Sequence, residues 1–147
     1  MKKTPGLGMP AHATLMYPFV RPDEIDDEIL ARISEVLARH ACLTLEMREQ
    51  RRWPDTLYAS VEPQEAVMAL QSDLEAAFPA YPAYGGAFPF YPHVTIVEGD
   101  AVERPENQQD PAWRCLPITR QVRHVDLMSS RDGKWSRTHR FDLKPRS

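Results

Sequence analysis

Two hydrophobic periods alternate along this chain. Ile25, Ile29, Ile33, Val36 and Leu37 recur at the spacing of one helix face, whereas Leu43, Leu45 and Met47 alternate with Thr44, Glu46 and Arg48 as in a strand with one wet face. The first pattern predicts a helix opened by Pro22 and running to about Arg39, with acidic Asp23, Glu24, Asp26 and Asp27 at the positive end of its dipole. Alternation resumes at Leu57, Ala59 and Val61, so the polar cluster at residues 50–55 is expected to be the turn of a hairpin. Pro63 opens a second helix, with Val67, Leu70, Leu74, Ala77 and Phe78 on one face and Pro79 as its stop.

Residues 78–92 break both periods. They carry Pro79, Pro82, Pro89 and Pro92, the pair Gly85-Gly86 and the aromatics Tyr81, Tyr84, Phe88, Phe90 and Tyr91, which predicts a long loop forming a wall of a pocket or a rigid connector. A polar segment over residues 101–109 predicts a short helix interrupted by Pro105, and residues 115–122 read as a strand. Two further strand-like runs, 124–129 and 135–143, flank Asp132-Gly133, a strong hairpin signal.

One phrase occurs twice within this pattern. Pro10-Ala11-His12-Ala13-Thr14-Leu15-Met16 is echoed by Tyr91-Pro92-His93-Val94-Thr95-Ile96-Val97. Each copy predicts a strand, the first over about residues 11–17 and the second ending near Glu98. Side chains of a strand alternate faces, so His12 would share a face with Thr14, and His93 with Thr95.

Composition narrows the class. The 147 residues suit one domain, or two small lobes sharing a core, and can bury about two-thirds of the unfolded surface. With 42% hydrophobic and 27% charged residues the chain is an ordinary globular one, without a membrane span or signal-peptide core. Cys42 and Cys115 match no metal or redox spacing, and are expected as free thiols in a reducing cytoplasm. The net charge of −3 argues against attachment to nucleic acid by bulk charge, although Arg131, Lys134, Arg137, Arg140, Lys144 and Arg146 make the tail locally basic. A small anionic ligand is compatible with this balance.

Two imidazoles facing one cleft can serve as general base and general acid, because their unperturbed pKa of about 6.5 lets them exchange protons near neutrality. On a phosphodiester, one histidine would deprotonate the attacking water or hydroxyl and the other would protonate the leaving oxygen. The hydroxyls of Thr14 and Thr95 could donate to the non-bridging oxygens, more strongly as charge gathers there. This scheme needs neither metal nor cofactor, and no further ligands sit at zinc spacing beside either motif. The bland alternative is a pair of structural histidines bonded to backbone.

The paired motifs His12-Ala13-Thr14-Leu15 and His93-Val94-Thr95-Ile96 resemble the signature of the two-histidine (2H) phosphoesterase superfamily. The stretch at residues 8–19, with Tyr84-Gly85-Gly86-Ala87-Phe88-Pro89 in the expected place, is similar to bacterial 2′-5′ RNA ligase-like proteins. This resemblance spans nearly the whole chain. It implies an α+β fold, a bilobal pseudo-two-fold duplication with antiparallel sheets lining a central groove and helices packed outside. It further implies chemistry on 2′,3′-cyclic phosphates, 2′-5′ linkages or small cyclic phosphodiesters, with His12 and His93 as acid/base residues and Thr14 and Thr95 as phosphate ligands.

Tyr91, Lys134 and Trp135 are added as candidate substrate contacts, by flanking a motif or by offering charge and a stacking surface; Arg137 and the tip Arg51-Arg52-Trp53 are similar candidates. Tyr17 is expected to face the core, and His40, His124 and His139 to be solvated or locally bonded. The expected ligand is a small nucleotide or an RNA-terminal phosphodiester, with no membrane and no obligate protein partner. A binding module without catalysis and an RNA-joining protein are the competing readings, and which histidine is the acid depends on the direction of substrate binding.

Overall fold

A computed structural model describes residues 12–109 and 111–145, so Pro10 and Ala11 of the first motif and Arg146 of the tail lie outside the described residues. Helix α1 (Asp27–Leu37) begins later than the position of Pro22 suggests. Pro22 instead opens a separate 3-10 turn, Pro22–Glu24, and Asp26 starts the helix by accepting the Ile29 N–H at 2.9 Å. A side-chain cap satisfies a first-turn donor, which proline cannot do. Helix α2 (Gln64–Ala77) follows Pro63 as expected.

The hairpin between the helices is longer than its alternation suggests. Strand β1 (Leu43–Trp53) continues through the polar cluster and pairs with β2 (Thr56–Glu62) down to Trp53 opposite Thr56, so the turn is only Pro54-Asp55. A bulge between Met47 and Gln50 absorbs the break in the period. On the second half of the chain are β3 (His93–Glu98), the short helix α3 (Pro105–Gln108), β4 (Ile118–Val122), β5 (His124–Arg131) and β6 (Lys134–Asp142). Pro105 stands at the start of α3, where its missing N–H is harmless, and does not interrupt it.

These strands form a four-stranded antiparallel sheet, ordered β3-β2-β1-β4, and a separate antiparallel hairpin, β5-β6. The sheets draw on both halves of the chain. β3 and β4 flank the first-half hairpin, while α1 and α2 pack on the second-half hairpin through a core of Ile33, Leu37, Leu70, Leu74 and Phe78 against Val125, Phe141 and Leu143. A second core lies behind the four-stranded sheet, where Ala59, Val61 and Val94 meet Val67 of α2. Leu15, which follows the first motif, packs against both cores.

The first motif is not the continuous strand that its composition predicts. Residues 12–17 make one isolated antiparallel bridge, Ala13 to Val94, and otherwise run irregularly. A strand needs a partner along its length; here Leu15, Met16 and Phe19 turn toward the helical core instead. Tyr17 is also displaced from its expected core position. It is 58% exposed and meets Trp135 of β6 edge-on at 6.1 Å.

Candidate active site

The second motif is held by β2. Ser60 pairs with His93, Ala59 with Val94 and Tyr58 with Thr95, so Val94 enters the core while His93 and Thr95 share the other face with Tyr58 and Ser60. The same face continues onto β1 through Arg51, which lies opposite Tyr58, and Trp53, opposite Thr56. The Ala13–Val94 bridge adds the first motif to this sheet edge. If its antiparallel register were carried one residue each way, it would set His12 opposite Thr95 and Thr14 opposite His93. Each histidine would then stand across from the threonine of the other copy. In such a register His12 and His93 would be diagonal neighbours, a relationship that spans about 7–8 Å in an antiparallel pair.

The orientation of His93 is specified by its surroundings. Its Nδ1 lies 2.8 Å from the Tyr91 carbonyl oxygen. A carbonyl can only accept, so Nδ1 carries the hydrogen, and Nε2 is the nitrogen whose protonation changes. The imidazole is further enclosed by Trp53 at 4.7 Å and Tyr58 at 5.5 Å, both near perpendicular to it. Trp53 also packs on Tyr58 at 4.1 Å and approaches Tyr91 at 5.9 Å. Burial pushes the Tyr58 phenol above its ordinary value, the neighbouring Tyr91 adds to this, and Arg51 opposes it, so Tyr58 is a neutral hydroxyl.

The sequence-derived candidates thus separate into groups. Ala13 and Val94, the middle residues of the two motifs, meet at the bridge, and Tyr91 orients His93 and packs against Trp53 and Tyr58. Trp135 sits against Tyr17, past the end of the first motif, and Lys134 is exposed beside the Asp132-Gly133 turn. Arg137 lies near the Asp126–Arg140 ion pair of the same hairpin, where it helps hold the Asp126 carboxyl below its usual range, after the larger effect of Arg140. The proline-rich loop walls a cleft of about 550 Å³ against Met68, Gln71 and Glu75 of α2, which the motif residues do not line. His40 bonds Asp73 of α2 at 2.6 Å and His124 bonds Asp142 of β6 at 2.8 Å. Among the described residues, no group of three or more His, Cys, Asp or Glu side chains is gathered as a metal site would require.

Tyr58 escaped notice in the sequence, although a signal was present. The outward positions of β2 hold Thr56, Tyr58 and Ser60, without a charge until Glu62, and all three are buried. An uncharged outer face on a hairpin strand marks a covered face.

Among curated proteins none matches the sequence. The fold is shared with a Thermus thermophilus protein, TT0787, at a TM-score of 0.66 and 18% identity, over 93% of this chain and 80% of that one. It is likewise similar to E. coli LigT complexed with 3′-AMP, at a TM-score of 0.60 and 20% identity, over 90% of this chain and 76% of that one. LigT complexed with NADP+ gives 0.56 and 21%, over 95% and 82%. At this identity the likeness establishes the fold. Residues 4–134, most of the chain and both motifs, match the model of the 2′-5′ RNA ligase superfamily, and the chain belongs to that family.

Proposed function

We propose that this protein is a phosphoesterase acting on 2′,3′-cyclic phosphate, 2′-5′ linked or related cyclic nucleotide phosphodiesters, with His12 and His93 as its acid/base pair. The observation that carries this reading is the Ala13–Val94 bridge, which joins the two motifs at the residue between each histidine and threonine. A phosphoryl group between them would receive hydrogen bonds from the Thr14 and Thr95 hydroxyls on its non-bridging oxygens. One imidazole takes a proton from the attacking water as the P–O bond forms. The other gives a proton to the leaving oxygen as the opposite P–O bond breaks, and solvent exchange resets the pair. The chemistry needs no metal. Tyr91, Lys134 and Trp135 complete the proposed contacts, Tyr91 through His93 and the other two along the hairpin that adjoins Tyr17. The free thiols Cys42 and Cys115 support a reducing, cytoplasmic setting.

The test is a panel of 2′,3′-cyclic mononucleotides and 2′-5′ dinucleotides, scored for turnover and for the position of the product phosphate. Turnover is expected to persist with chelator and to follow a bell-shaped pH profile. His12→Ala and His93→Ala should each lower kcat by about 10²–10⁴-fold. Full activity in both variants would overturn the assignment, and binding without any conversion would identify a nucleotide-binding module.

A further inference from the structure

We propose that Trp53 is a positioning residue: it acts through His93, holding the imidazole at one rotation about its Cβ–Cγ bond. The inference rests on the reading of His93 as an acid/base group and extends it to a residue of a neighbouring strand. Three constraints converge on this ring. The Nδ1–H is bound to the Tyr91 carbonyl at 2.8 Å, Trp53 packs near perpendicular to the ring at 4.7 Å, and Tyr58 does so at 5.5 Å. A hydrogen bond at one nitrogen does not by itself fix the plane of an imidazole. An indole packed against it removes that freedom.

Trp53 can serve as such a wall because the hairpin tip that carries it is itself anchored. The Gly99 N–H donates to the Asp55 carbonyl at 3.0 Å, the Gln50 side chain donates to the Gln108 carbonyl at 3.1 Å, and Arg52 pairs with Glu103. These ties bind the tip of β1 to the segment that follows β3. The indole also packs on Tyr58 at 4.1 Å, tilted by 33°, and Tyr58 is only 5% exposed. A side chain braced on both sides transmits the rigidity of the sheet to the imidazole. Proton transfer is sensitive to such placement, and a displacement of about 1 Å in a reacting group costs on the order of 100-fold.

The experiment compares wild type, Trp53→Ala and Trp53→Phe, with folding checked by circular dichroism. The first readout is the proton on His93 Nδ1, assigned by its absence in His93→Ala and followed by NMR for exchange with water. It is expected to be protected in wild type, to exchange at least about tenfold faster in Trp53→Ala, and to recover in part in Trp53→Phe, where a smaller aromatic ring still abuts the imidazole. Equal protection in all three, or no protected proton in wild type, overturns the proposal. The second readout is kinetic, with a 2′,3′-cyclic nucleotide as substrate. The expected pattern in Trp53→Ala is a fall in kcat of about 10- to 100-fold with KM within about threefold. A raised KM with unchanged kcat would make Trp53 a base-stacking contact and overturn the positioning role. Should Trp53→Ala not fold, the Trp53→Phe comparison decides alone. The NMR readout needs no substrate, so it stands even where turnover in His93→Ala disproves the catalytic reading.

Discussion

Ala13 and Val94 pair antiparallel as an isolated bridge, and this one pairing relates the two copies of the motif by a local two-fold. Among the described residues it is the one strand pairing that sets the direction of His12 and Thr14, whereas His93 and Thr95 are placed by the whole β2–β3 ladder. The proposed arrangement thus depends on a short contact between an irregular segment and a well-supported strand.

Thr14→Ala and Thr95→Ala are expected to lower kcat by about 10²–10³-fold, as loss of one donor to a developing phosphoryl charge does. The local two-fold predicts losses within about tenfold of each other. Thr→Ser at either site keeps the donor and should retain most activity. Steady-state kinetics on a cyclic nucleotide measures this, and unchanged kcat in Thr95→Ala contradicts the proposed role.

Leu37→Ala should cost about 2–5 kcal/mol of unfolding free energy. Leu37 is fully buried where α1 and α2 meet the β5-β6 hairpin. Urea denaturation reads the loss. A change below about 1 kcal/mol, on the order of a surface substitution, would mean that this interface is not the core described.

The Asp126 carboxylate accepts two hydrogen bonds from Arg140, at 2.9 and 3.1 Å, and Arg140 holds it below the usual carboxylate range. A carboxyl that ionises lower in the folded than in the unfolded chain stabilises above its unfolded value, near about 3.9. That contribution is lost as pH falls through the folded value. Wild type should therefore lose stability below about pH 4 more steeply than Asp126→Asn. Thermal melts from about pH 6 to about pH 2 make the comparison, and superimposable acid limbs would show that the pair is not coupled to folding.

The β5-β6 turn has positive φ at both central residues, 53° at Asp132 and 75° at Gly133. This is the twist a two-residue hairpin turn requires, and aspartate and glycine tolerate it. A Cβ added at Gly133 meets nothing within 4 Å, so Gly133→Ala isolates the backbone penalty. The expected cost is about 1–2 kcal/mol. No measurable change in a denaturation series would mean that the turn relaxes to another geometry.

Much of this was legible locally. The helix over α1 follows from Ile29, Ile33, Val36 and Leu37, and the second hairpin from Asp132-Gly133, because periodicity and turn chemistry are properties of neighbouring residues. Errors fell where a cap or a partner strand decided. The side chain of Asp26 moved the helix start past Pro22, and pairing with β2 carried β1 through Arg51 and Arg52 as far as Trp53.

The sequence by itself determined that the chain carries two His-x-Thr copies within an α+β pattern, and that strand parity groups His93 with Thr95. It also determined which residues could exchange protons near neutrality, since that chemistry is intrinsic to the side chain. Only the tertiary structure decided that the copies meet head to tail, through Ala13 and Val94. It alone brought Trp53 and Tyr58 from another hairpin against His93, and sent Tyr17 outward to Trp135. Register and packing join residues far apart in the chain, and the energies that select them appear only when the sheets and helices close around a common core.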